Sequence, residues 1–187
     1  MRLWARLFAA VGLTVGLAGG AQALNIVNNG GFETGDFTGW TPTGNSTFNG
    51  VTCPGSGPGG APQGLCEAFF GPIGSDGGIS QSLSTVAGNK YVVSFSLSTD
   101  GGLPSDFSAT FGTATLISLT SPAAAAAHTL TFVLNATSAT TLLSFNFRDD
   151  PGFMFLDAVS VSVPEPASLA LLGIGLAGIG FARRRKS

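Results

Sequence analysis

Between residues 26 and 163 apolar and polar side chains alternate in short runs broken by Gly, Pro, Asn and Asp. A period of two puts successive side chains on opposite faces of a strand, so this chain buries its apolar set by forming half-dry antiparallel sheet. The clearest run is 91–99, where Tyr91, Val93, Phe95 and Leu97 share one face and Ser94, Ser96 and Ser98 the other. Leu130, Phe132 and Leu134 alternate with polar neighbours in the same way over 128–134. Leu143, Phe145 and Phe147 alternate with Ser144, Asn146 and Arg148, and the Asp149-Asp150-Pro151-Gly152 turn then returns the chain through Phe153 toward Val163, which predicts a hairpin. Further strands are expected over 26–33, 48–52, 67–70, 79–83, 107–111 and 114–119. So many strands in one flat sheet would leave a large apolar face wet, so a two-sheet sandwich is expected, its core filled by phenylalanine, of which the whole chain has fifteen. The five alanines at 123–127 are too few to nucleate a helix and read as a connection holding at most one helical turn.

The ends differ from this body. Arg2 and Arg6 precede an apolar stretch over 7–18, and Ala21-Gln22-Ala23 supplies the small residues that signal peptidase requires, so residues 1–23 read as a signal peptide and the mature chain as starting at Leu24. At the other end Pro164-Glu165-Pro166 stops the sheet, residues 167–182 carry no charge, and Arg183, Arg184, Arg185 and Lys186 form a basic stop before Ser187. Sixteen helical residues span about 24 Å, slightly less than a hydrocarbon core of about 30 Å, so a single transmembrane helix is expected over 167–182. The domain plan is therefore a signal peptide (1–23), a sandwich (24–163) and a tail (164–187), with the sandwich across the membrane from the cytoplasm.

Six of the eight basic residues lie in the two end segments, leaving Lys90 and Arg148 against ten acidic residues from Leu24 through Glu165, a formal charge of −8. A surface of that sign repels phosphate backbones and excludes nucleic acid as a partner. Cys53 and Cys66 bracket a Gly/Pro-rich stretch and are expected to close it as a disulfide outside the cytoplasm. Their spacing does not fit a Cys-x-x-Cys redox motif, and a zinc site would lack further ligands.

No catalytic residue is assigned. His128 is the one histidine, Gly-x-Ser-x-Gly is absent, and Asp100, Asp106, Asp149 and Asp150 sit in turn-like contexts where a glycosidase pair is a remote reading. Asp149 and Asp150 beside Arg148 read as a local salt bridge, with cation or sugar coordination as the alternative. A sugar platform needs exposed rings, and Phe69-Phe70 is the adjacent pair available. One of the two must face outward if the segment is strand.

The segment Asn28-Asn29-Gly30-Gly31-Phe32-Glu33-Thr34-Gly35-Asp36-Phe37-Thr38-Gly39-Trp40 resembles the opening of exported carbohydrate-binding jelly rolls of the galactose-binding-like type. Phe155-Leu156-Asp157-Ala158-Val159-Ser160-Val161 resembles their last strand. The resemblance implies an all-β jelly-roll sandwich and, from Glu33 and Asp157, a structural calcium ion, with Asp36 a further candidate. Alternation places Asp157 with Phe155, Val159 and Val161 on the core side, where a carboxylate needs a cation or donors. Amide or Arg148 partners at the rim are the other reading, and the Asp-Ala at 157–158 departs from the Asp-Asp common in relatives.

The tail Pro164-Glu165-Pro166, apolar span and arginine cluster resembles the PEP-CTERM sorting signal. That resemblance implies recognition and processing by exosortase and a place in exopolysaccharide or biofilm. The expected protein is a non-enzymatic, membrane-anchored or processed component of the cell surface or extracellular matrix. A carbohydrate-binding module with Phe69 and Phe70 at its ligand is the alternative, and a glycan hydrolase a distant one.

Overall fold

The computed structural model describes residues 24–164 and Gly175. The expected signal peptide over 1–23, Glu165 and Pro166, and the expected basic stop of Arg183, Arg184, Arg185 and Lys186 lie outside the described residues, as does all of 167–182 except Gly175. Among the described residues no helix is long and apolar enough to cross a membrane.

Among the described residues, ten strands form two five-stranded sheets. They are β1 (Thr41–Gly44), β2 (Asn49–Thr52), β3 (Glu67–Phe70), β4 (Gly77–Ser84), β5 (Lys90–Thr99), β6 (Ser105–Phe111), β7 (Ala114–Thr120), β8 (Ala125–Asn135), β9 (Thr140–Asp149) and β10 (Met154–Ser162). One sheet runs β1-β4-β9-β6-β7 and the other β2-β3-β10-β5-β8, with every pairing antiparallel. The chain passes repeatedly between the sheets, so the inward faces close on one another as a β-sandwich. Phe70 of β3 stacks on Phe147 of β9 with centroids 4.0 Å apart, and Phe95 of β5 meets Phe145 of β9 edge-on at 5.0 Å. Such pairs add about 0.5–1.5 kcal/mol beyond area burial.

Several expectations change. The 149–152 turn joins no hairpin: β9 lies in the first sheet and β10 in the second, so the turn is an arch over the end of the sandwich. Both strands carry a dry face, and crossing lets Phe145 and Phe147 oppose Met154 and Leu156 in one core. Residues 26–33 form no strand; apart from the Asn25–Ser162 bridge the segment coils, with Asn29 and Phe32 at φ of 51° and 55°. Coiling drives Phe32 fully into the core, where it stacks on Trp40 at 5.9 Å. The alanine run enters β8 at Ala125, opposite Thr99, because an available edge of β5 outweighs the weak helix preference of so short a run. β1 was not expected; its Thr-Pro-Thr-Gly has no alternation and exists through pairing with β4.

The last strand is bulged. Its register to β5 shifts between Asp157 and Ser160, with Ala158 at φ 52°. A bulge inserts an extra residue and reverses which side chains face inward. Val159 and Val161 therefore enter the core while Phe155 and Asp157 face outward, so Asp157 is not on the core side that uninterrupted alternation predicts. Gly30 receives this bulge: the amide of Val159 donates to its carbonyl at 2.9 Å, and a β-carbon at Gly30 would lie 2.0 Å from the Val159 oxygen.

Candidate functional site

The outward face of the second sheet is roofed by the loop between Cys53 and Cys66, which are joined as a disulfide with their Cα atoms 4.4 Å apart. A loop rich in Gly and Pro makes few ladder bonds, so its amides need other acceptors. Three carboxylates supply them. Glu33 accepts from Leu65 and Cys66 at 2.9 Å each, Asp157 from Gln63 at 2.7 Å, and Glu67 from Gly57 at 2.5 Å. Asp157 also accepts from Ala158 at 2.6 Å. Glu67 and Asp157 are buried beneath the roof, whereas Glu33 is exposed. Burial raises the Asp157 pKa to about 6; the amide bonds oppose that shift, and the charges of Glu67 and Glu33 add to it.

Of the two readings of Asp157, amide partners are present, and Arg148 is not among them. Glu67 was missed because the first residue of a short strand carries no sign of a loop above it. Asp36 is an exposed turn residue, held below the usual carboxylate range by hydrogen bonds from Thr38 and then Thr34. Oxygen donors of like charge suit a hard cation; both Asp157 oxygens accept amides, and Glu33 takes its two amides on Oε1. Among the described residues no group of three or more His, Cys, Asp or Glu side chains gathers as a metal cluster.

Beside the roof lies an aromatic hollow of about 230 Å³ lined by Thr52, Ser56, Phe69, Phe153 and Phe155. Phe69 and Phe155 are cross-strand partners of β3 and β10, and Phe153 meets Phe69 edge-on at 5.7 Å. Each ring lies over a glycine: a β-carbon would come within 2.6 Å of Phe69 at Gly50, 2.5 Å of Phe155 at Gly57 and 2.7 Å of Phe153 at Gly71. All three rings keep partial exposure. Of the expected pair, Phe69 faces this hollow and Phe70 does not, being fully buried against Phe147 and Phe37. Phe153 and Phe155 were missed because their approach to Phe69 depends on the strand register and the arch.

The first sheet presents a different outer face. A polar groove of about 230 Å³ is lined by Asp76, Asp106, Ser108, Ser118 and Asn146 side by side with Phe107, Leu119 and Phe147, of which the two rings belong to the core and Leu119 packs against it. The four aspartates considered for hydrolysis are spread over separate places, with Asp100 and Asp149 the pair that comes together. Asp106 lies in this groove, and Asp150 pairs with Arg148 at 3.1 Å and accepts from the Gly74 amide at 2.9 Å. The Gly74 amide, then Arg148, holds the Asp150 pKa below the ordinary value. Asp100 and Asp149 meet beneath the arch, where a β-carbon at Gly152 would lie 2.6 Å from an oxygen of each. His128 is exposed on β8 with Nδ1 3.1 Å from the Ala126 carbonyl oxygen.

Residues 162–186 match the PEP-CTERM protein-sorting motif. No curated protein sequence matches the chain. Among solved structures, a family 61 carbohydrate-binding module in complex with β-1,4-galactotriose is 18% identical with a TM-score of 0.60, covering 76% of this chain and all of that one. A xylan-binding domain of family 22 is 18% identical with a TM-score of 0.54 over 74% of this chain and 95% of its own. The CBM22-1 xylan-binding domain of Paenibacillus barcinonensis Xyn10C is 20% identical with a TM-score of 0.51 over 73% and 93%. At these identities the likeness establishes the fold. The chain thus joins a β-sandwich of the carbohydrate-binding-module type to a C-terminal PEP-CTERM sorting motif.

Proposed function

We propose that this protein is exported, delivered through its tail to exosortase, and presented at the cell surface, where its sandwich binds glycan without catalysing a reaction. The observation that carries the binding reading is the convergence of Phe69, Phe153 and Phe155 on one open hollow. Rings that a core could have absorbed instead lie against glycines and stay partly exposed, leaving a surface against which the C–H face of a pyranose can stack. Ser56 and Thr52 at the rim offer hydroxyl partners, the mixture of apolar wall and few polar groups typical of small-ligand sites. Exopolysaccharide of the surrounding matrix or biofilm is the proposed ligand, and the domain plan of 1–23, 24–163 and 164–187 belongs to the same reading. A structural calcium at Glu33 and Asp157 belongs to it too, supported by the mutual repulsion that helps raise the Asp157 pKa.

The test is an array carrying β-1,4-galactan and xylan oligosaccharides together with bacterial exopolysaccharides. Wild-type protein is expected to be retained, and Phe69→Ala with Phe153→Ala to lose retention while staying folded. Retention unchanged by that double substitution would refute the hollow. The sorting half is tested by replacing Pro164, Glu165 and Pro166 with alanine in the host, which is expected to leave the chain unprocessed in the membrane fraction.

A further inference from the structure

The arch between the two sheets encloses a polar nook that the sandwich itself does not complete. Asp149 is the last residue of β9 and points inward with 0% of its surface exposed, and neither carboxylate oxygen has a hydrogen-bond partner. Ser105, its cross-strand partner on β6, is 1% exposed, and its Oγ is equally without a partner. Directly opposed residues on paired strands project to the same side, so the two groups face one space. Asp100 enters from the β5–β6 loop. A β-carbon at Gly152 would lie 2.6 Å from Oδ1 of both Asp100 and Asp149, and one at Gly102 would lie 2.3 Å from both Asp149 Oδ1 and the Pro151 carbonyl oxygen. Glycine at both positions lets these oxygens approach.

Asp100 is held in place by backbone donors, accepting from Gly102 at 3.0 Å and Phe153 at 2.8 Å. The nearest basic group, Arg148, is engaged with Asp150 on the outer face. The nook therefore holds two carboxylates, a hydroxyl and a carbonyl, all oxygen, with no countercharge. An unpaired buried carboxylate costs several kcal/mol, and a hard cation with oxygen ligands at about 2.3–2.6 Å removes that cost.

We propose that Asp149, Asp100, Ser105 and the Pro151 carbonyl form a calcium site that ties the β9–β10 arch to the β5–β6 loop. It is separate from the Glu33–Asp157 pair, which anchors the Cys53–Cys66 loop on the outward face of the second sheet. A bound ion here fastens the arch that carries Phe153, and so one wall of the aromatic hollow.

The test counts calcium ions per chain by native mass spectrometry on protein purified from its host, stripped with chelator and reloaded with calcium alone. Asp149→Asn, which keeps shape and removes charge, is expected to lose one ion relative to wild type, and Ser105→Ala to weaken binding of that ion at least several-fold by calorimetry. Asp157→Asn should leave this ion in place whether or not a second ion binds near Glu33, so failure of that other site is read separately. Should Asp149→Asn not fold, Asp100→Asn is the substitute, with the same loss expected. A wild-type chain that takes up no calcium, or variants that bind as many ions as wild type, would overturn the site.

Discussion

The two outer faces of the sandwich begin from the same alternating pattern and end differently. On the first sheet the outward residues Ser108, Asn146 and Asp106 stay at the surface and line a shallow polar groove. On the second sheet a Gly/Pro-rich loop lies across the outward residues, so Glu67, Ser96, Ser98 and Asp157 become buried polar groups. Burial obliges them to find partners, and the carboxylates find them in the amides of the loop that covers them. A roofed face thereby acquires a fixed edge, and at that edge sits the aromatic hollow.

The comparison breaks most severely if the roof is released. Replacing Cys53 and Cys66 together by alanine should cost about 3 kcal/mol by the loop-entropy model, measured by denaturant unfolding, and should also weaken glycan binding because Ser56 and Gly57 belong to the released loop. Glu67→Ala removes the acceptor of a buried amide and should cost about 2 kcal/mol in the same measurement. Asn146→Ala on the bare face should change stability by less than about 0.5 kcal/mol.

Burial shifts two carboxylates in the same direction, one under the roof and one under the arch. The folded chain holds Asp157 and Asp149 at a pKa of about 6 against an ordinary 3.8, in both cases chiefly through burial. Between those values the folded state retains protons that the unfolded state has released, so these groups favour folding below the window and the gain is lost as pH rises through about 6. In chelator the melting temperature should therefore fall from pH 5 to pH 7.5. Asp149→Asn should flatten that slope, and a slope of the opposite sign would contradict the assignment.

Much of the sandwich was legible from residue type alone. The 91–99 run and the 143–148 run appear as β5 and β9 with the inward faces that alternation assigns, and the disulfide follows from two cysteines around a stretch with no regular structure. What was hidden depends on long-range register. The bulge at Ala158 turned Asp157 outward, and no local signal marks it, because an alanine at φ 52° is tolerated only where Gly30 receives the neighbouring backbone. That one of Phe69 and Phe70 turns outward was legible from the parity of adjacent residues, and the strand pairing makes it Phe69. Its companions were not, since Phe155 comes opposite through the β3–β10 register and Phe153 through an arch that the turn residues present as a hairpin. Asp149 escaped for the same reason: a turn aspartate at a hairpin tip is solvated, whereas one under an arch is sealed.

The most direct test of the account is calorimetric titration of a retained glycan into wild-type protein, the Phe69→Ala/Phe153→Ala variant and Asn146→Ala. The account predicts at least tenfold weaker binding for the aromatic variant and an unchanged constant for Asn146→Ala. Binding that survives loss of both rings, or that disappears with Asn146, would move the ligand to the bare face and contradict it.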